Sequence, residues 1–241
     1  HYISINDGAV AADSRGNYKN DGATGRNSTA IGVDASAKKQ GATAIGAATS
    51  ATNNAAISIG TYSNASGVSS TAIGQGTLAS ANAATAIGRQ ANASGNGSTA
   101  IGSASKASGS AAIAFGSGTS ASGTNSTALG QGAQSSGVYS SAVGTKANAS
   151  GFGSSAFGSG SVASGKSASA YGTGSNASGG ASVAVGLQSK ASGEGAVAIG
   201  RNAVASDEYS VALGANSTTS AAVGTTNATV GGVNYGGFAG T

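Results

Sequence analysis

The 241 residues include 43 Gly and no Pro, Cys, Met or Trp, and only 7% are charged and 5% aromatic. Without Cys there is no disulfide framework and no thiol or Cys-ligated metal chemistry, and so few large side chains cannot fill a thick core. A net charge of only +4 does not describe a typical disordered chain either, so order must come from repetition.

The N-terminal segment, residues 1–28, reads as a cap or junction. It holds a strand-like Tyr2-Ile3-Ser4-Ile5 and a partial repeat, Ala23-Thr24-Gly25. His1 has no neighbouring acid, base or ligand to work with. Asp7, Asp13, Asp21 and Asp34 are spaced too irregularly for a calcium loop and read as a solvated surface. The chain begins with His rather than Met and shows no signal peptide, so any leader or anchor is expected outside it. No run approaches the roughly eighteen apolar residues of a membrane-spanning helix.

From residue 29 to residue 220 one unit recurs. A small residue, a bulky apolar one and Gly appear as Ala30-Ile31-Gly32, Ala44-Ile45-Gly46, Ser58-Ile59-Gly60 and Ala72-Ile73-Gly74. The bulky position continues through Ile87, Ile101, Phe115, Leu129, Val143, Phe157, Tyr171, Val185, Ile199 and Leu213, always 14 residues apart. Gly follows it in all fourteen copies, and Ala precedes it in all but one. A second landmark closes each unit, as in Ala65-Ser66-Gly67 and Ala107-Ser108-Gly109.

Helix is excluded, because Gly at every seventh or eighth residue would cost about 1 kcal/mol each. The local period is two, which is that of a strand. In the first segment of each unit the residue two before the bulky one is usually β-branched, as at Thr43, Ile57 and Val183, and shares its face. Ala lies on the opposite face. In the second segment small residues flank a freely varying one: Asn64, Leu78, Asn92, Lys106, Gln134, Asn148, Val162, Lys190. Variable, often polar residues between constant small ones mark an outward face and the candidate ligand-facing positions.

Two strands of about four or five residues and two Gly turns therefore make one coil. Coils stacked in parallel at ~4.8 Å give an all-β solenoid roughly 65 Å long. The fourteen bulky residues are expected to form one ladder inside it, facing the Ala65-type positions, because large opposite small fills space; the pattern by itself leaves open whether Ile or Ala faces the axis of a trimer. The uncharged Ala/Gly face of the first segment is then expected to pack on other chains. Closed symmetry permits a trimer, and composition alone leaves a dimer open.

After Leu213 the spacing shortens to ten at Val223-Gly224, and residues 221–241 become Gly-rich and aromatic from Val230 on. Degenerate ends of this kind are expected of caps or junctions.

Between Asp34 and Glu194 the chain has no acidic residue, while Lys38, Lys39, Arg89, Lys106, Lys146, Lys166 and Lys190 lie in that span. These cations serve solubility or form a diffuse surface for anionic ligands. Dense basic clusters with interleaved aromatics are missing, so nucleic acid is not expected. Gly160 to Ser167 matches the P-loop spelling, but another repeat strand follows where a helix is required. No catalytic residue, metal site or cofactor is expected.

The repeat resembles the head motif of YadA-like trimeric autotransporter adhesins, roughly Asn-Ser-Val-Ala-Ile-Gly with a following Ser. Asn27-Ser28-Thr29-Ala30-Ile31-Gly32, Asn125-Ser126-Thr127-Ala128-Leu129-Gly130 and Gly195-Ala196-Val197-Ala198-Ile199-Gly200 carry the likeness. The resemblance spans residues 27 to about 220. It implies a left-handed parallel β-roll, a homotrimer, and a bacterial surface protein held in the outer membrane by a region beyond this chain. It further implies attachment to host extracellular matrix or host cells through cell-surface receptors, and the tail from Val230 to Thr241 looks like the opening of the connector domain that such adhesins place between head and stalk; anionic glycans are the partners that the dispersed cations add. A bacterial source also argues against glycosylation at the Asn-x-Ser/Thr sequences of Asn64, Asn92, Asn148 and Asn176. The chain departs from the motif where Ser or Thr replaces Val, and it contains no charged neck or coiled-coil stalk.

The main rival to adhesion is a rigid spacer projecting another binding domain. An ice-binding solenoid would need a regular Thr-x-Thr ladder, which Thr-Ala-Ile does not supply. A solenoid acyltransferase would need six-residue periodicity and an internal His.

Overall fold

The computed structural model describes residues 21–221 and 227–236. Three-residue and two-residue strands alternate: β1 (Thr29–Ile31), β2 (Ser36–Ala37), β3 (Thr43–Ile45), β4 (Ser50–Ala51), and so on to β27 (Val211–Leu213). The odd-numbered strands form one fourteen-stranded sheet and the even-numbered ones a thirteen-stranded sheet. Every strand pairs in parallel with its own copy one coil away. In β11 (Thr99–Ile101) and β13 (Ile113–Phe115), Ala100 lies on Ala114 and Ile101 on Phe115. The molecule is an all-β parallel β-solenoid with both sheets in the 14-residue register of the sequence.

The strands are shorter than the expected four or five residues because the corners begin at once. After each bulky residue Gly turns the chain with φ between +111° and +133°. A left-handed residue then recurs every seven positions, as at Gly97, Ala104, Ala111, Gly118, Asn125 and Gly132. Its amide donates to the preceding coil: Ala104 N–H to the Arg89 carbonyl at 2.9 Å and Ala111 N–H to Asn96 at 2.8 Å. The corners thus continue the ladder that the strands begin, which leaves few backbone groups unpaired.

The core is made of very small side chains. In one coil Ala112, Ala114, Thr119 and Ala121 point inward, each at most 1% exposed. Every buried apolar residue among the described ones is Ala, and the largest buried side chains are Thr49, Thr77 and Thr119. Many interior hydroxyls are satisfied locally, while those of Ser98, Ser126 and Ser154 are buried without a partner. Ser105 donates to the Gly102 carbonyl at 2.9 Å and Ser70 to Gly67 at 2.7 Å. The one copy with Ser in place of the strand Ala is matched from across the coil: Ser58 Oγ lies 2.7 Å from Ser63 Oγ, which lies 2.6 Å from Thr49 Oγ1.

This core overturns the expected placement of the bulky ladder. Ile31, Ile45, Ile59, Ile73, Ile87, Ile101, Val143, Phe157 and Val185 are half-buried, and Phe115, Leu129, Tyr171, Ile199 and Leu213 are exposed. All stand on the outside of the large sheet. The Ala between each of them and the preceding Thr or Ile points in, so the Ala face meets its own coil and not another chain. The reason is thickness. Each corner spans so few residues that strands of the two sheets approach within 8 Å at Cα. Sheets that carry large side chains between them stand ~10 Å apart, so only Ala, Ser and Thr fit here.

At the ends, Ala23 bridges Ala37 and Thr218 bridges Val204, both in parallel, which extends the solenoid by isolated contacts. Tyr2–Ile5 and Val223 lie outside the described residues. Within the C-terminal segment β28 (Asn227–Val230) and β29 (Val233–Gly236) form an antiparallel hairpin. Its turn, Gly231-Gly232, has positive φ at both positions (59° and 83°), as a two-residue hairpin requires.

Candidate functional site

The solenoid presents two sheet faces and two corners, and each has its own chemistry. The large sheet's outer face carries two files of side chains. One runs from Thr29 to Val211, mixing Thr, Ser, Ile and Val; the other is the bulky ladder from Ile31 to Leu213. Stacking at ~4.8 Å per coil makes the bulky ladder a continuous apolar stripe beside the mixed file. Rings stack along it: Phe157 and Tyr171 lie 5.2 Å apart at 15°. A folded monomer rarely exposes more than a few hundred Å² of contiguous apolar surface, and this stripe runs the length of the rod.

The small sheet's outer face is polar. Asn64, Leu78, Asn92 and Asn148 are half-buried on it, while Lys106, Gln134 and Lys190 are exposed. They form one file at the variable position. Parallel pairing places Asn92 between Leu78 and Lys106, and Gln134 next to Asn148. Two residues further along each coil a second file is Ser at every copy from Ser66 to Ser206, mostly exposed. The Oδ1 atoms of Asn64, Asn92 and Asn176 are buried by their neighbours without a hydrogen-bond partner.

The cations are dispersed. Lys106 and Lys190 stand on the small sheet, and Arg89 and Lys146 occupy the corner after the bulky residues. Lys166 occupies the other corner. All are exposed, as are Lys38 and Lys39. No group of three or more His, Cys, Asp or Glu among the described residues could hold a metal. The P-loop spelling falls on a corner and on β20 (Val162–Ala163), with β21 (Ser169–Tyr171) next and no helix between them.

One feature escaped the pattern reading. At the corner after the small sheet, Val138, Tyr139 and Phe152 are 37%, 58% and 52% exposed. The two rings meet edge to face at 5.7 Å. The signal lay in the sequence: after Val68 the same corner position reads Asn82, Asn96, Ser110 and Thr124, then Val138 and Phe152 in succession.

A rod of stacked 14-residue coils with small residues inside and an apolar stripe outside defines the class: a repetitive parallel β-solenoid. The family model described as YadA head domain repeat matches overlapping windows from residues 23–49 to 191–217. The chain belongs to that family, an adhesin-type domain of the trimeric autotransporters of bacterial surfaces. A comparison with curated proteins finds no match.

Proposed function

We propose that this chain is the head of a bacterial surface adhesin. It assembles as a homotrimer through the large-sheet stripe, and it attaches to host extracellular matrix or host cells by weak contacts repeated along the small-sheet face. The observation that carries the reading is the stripe itself, since water-exposed Ile, Phe, Leu and Tyr files need a cover along the whole rod, and identical rods supply one in closed symmetry. Covering the stripe leaves Asn64, Leu78, Asn92, Lys106, Gln134, Asn148 and Lys190 facing the surroundings. Many weak sites on one rigid rod then act together.

In this reading residues 1–28 cap the roll, residues 29–220 form it, and residues 221–241 lead to a connector. The anchor in the outer membrane lies in sequence beyond these residues, and no cofactor takes part. The test is a series of heads shortened by one, two and four whole coils, assayed for mass in solution and for binding to immobilised matrix proteins. Trimeric mass with binding that falls stepwise supports the proposal. A stable 22.0 kDa monomer overturns the assembly. Binding unaltered by any deletion, or absent throughout, gives the rod the role of a spacer.

A further inference from the structure

We infer that the aromatic corner of Val138, Tyr139, Phe152 and Lys166 is a discrete site for an anionic glycan, distinct from the contacts distributed over the small sheet. It rests on the reading of the rod as an adhesive head.

The corner is built unlike its counterparts. Tyr139 takes the left-handed position of its turn with φ 59°, where a Tyr side chain gains nothing for the local fold. Its backbone is held, with the amide donating to Thr124 at 2.9 Å. One coil on, the Gly153 amide donates to Val138 and the Ser167 amide to Phe152, at 2.9 and 2.7 Å. Two rings are thus fixed edge to face on a rigid frame, more than half of each exposed.

The surroundings select the ligand. Lys166 follows Phe152 in the same file, one coil further along the rod, and is exposed. The serine file passes beside the corner through the exposed Ser136, Ser150 and Ser164. No acidic residue occurs between Asp34 and Glu194, so no carboxylate flanks the rings; the nearest, Glu194, reaches over Gly180 on the side of Lys166 away from them. An aromatic face takes the C–H face of a sugar ring, because its quadrupole is negative there. Hydroxyls exchange hydrogen bonds with sugar hydroxyls, and Lys166 pairs with a sulfate or carboxylate. An apolar peptide would use the rings and leave the cation and hydroxyl file idle.

The probes are a heparin octasaccharide, a hyaluronan octasaccharide and uncharged maltooctaose, titrated into the assembled chain. The two anionic probes separate sulfate from carboxylate recognition. Binding of at least one of them and none of maltooctaose is expected. Tyr139→Ser and Phe152→Ser each weaken binding roughly tenfold, the scale of one lost aromatic contact. Lys166→Ser weakens it and flattens its salt dependence. Tyr209→Ser, at the same turn position but beside Glu194 and Glu208, leaves it unchanged. Serine and glycine recur at these corner positions in other coils, so the variants fold.

Equal affinity of Tyr139→Ser and the parent for both anionic probes overturns the proposal. So does a drop in trimer mass or melting temperature caused by Tyr139→Ser, which would make the ring a cover for a neighbouring chain. A head that binds the anionic probe through Tyr139 but no matrix protein sinks the distributed reading alone. Matrix binding without probe binding sinks the corner alone.

Discussion

At Gly102 φ is +129°, and an added Cβ would lie 2.5 Å from the carbonyl oxygen of Gly116 in the next coil. Both the dihedral and the close approach demand glycine, and each of the fourteen copies has it at this position. Gly102→Ala is expected to cost at least about 2 kcal/mol. Two residues on, Ala104 sits at φ +55°, a left-handed conformation that costs an L-residue roughly 1–2 kcal/mol. Ala104→Gly relieves that strain but loses chain entropy of about 0.5–1 kcal/mol. A small gain in stability, up to about 1 kcal/mol, is therefore expected. Denaturant midpoints of the two variants move in opposite directions. A loss in Ala104→Gly equal to that in Gly102→Ala would mean that the corner conformation is not what glycine serves.

Within one strand, neighbouring residues have opposite duties. Ala100 is fully buried between the sheets, while Ile101 stands half-buried on the outer stripe. Ala100→Leu adds three carbons where strands already approach within 8 Å. Overpacking of this kind costs about 1–3 kcal/mol or more, and the loss of β-structure is read by circular dichroism. Ile101→Asp leaves the interior untouched. It places a charge on the stripe, and in a trimer three such charges would be desolvated together. The expected result is a folded chain with lower mass in solution. If Ile101→Asp unfolded the roll and Ala100→Leu were silent, the assignment of inner and outer faces would be reversed.

On the scale of the whole rod, each coil contacts mainly the coils on either side, so stability accumulates by neighbours. Removing the fourteen residues 103–116 joins Gly102 to Ser117 and keeps every later residue in its file. This variant should retain its β-signal and its trimeric mass, and melt within a few degrees of the parent. Removing only residues 103–109 brings Ile113–Phe115 under a strand of the small sheet. Every later coil is then rotated by half a unit, and the apolar stripe is split between two sides. Loss of trimeric mass is expected for this shorter deletion alone. Equal behaviour of the two deletions would show that register has no part in assembly.

The period of 14, the parallel self-pairing and the two strands per coil were all legible in the sequence. Identical side chains at a constant spacing admit only one register, and Gly after every bulky residue marks a required corner. The outward file at Asn64, Leu78, Asn92 and Lys106 was legible for a similar reason: between small constant residues, only an outer position tolerates such variety. Which face of the first strand points inward was not. Alternation at Thr-Ala-Ile defines two faces, but Ala and Ile are both apolar, and the pattern is the same with either one inside. Tertiary structure decided it through the distance between the sheets, which the short corners set and which no single repeat reveals. The same distance drives every large apolar side chain outward, and so converts a core-forming ladder into an assembly surface. The ring pair of Tyr139 and Phe152 was likewise decided in three dimensions. The two residues lie thirteen apart in the chain, and only the stacking of successive coils brings their rings together.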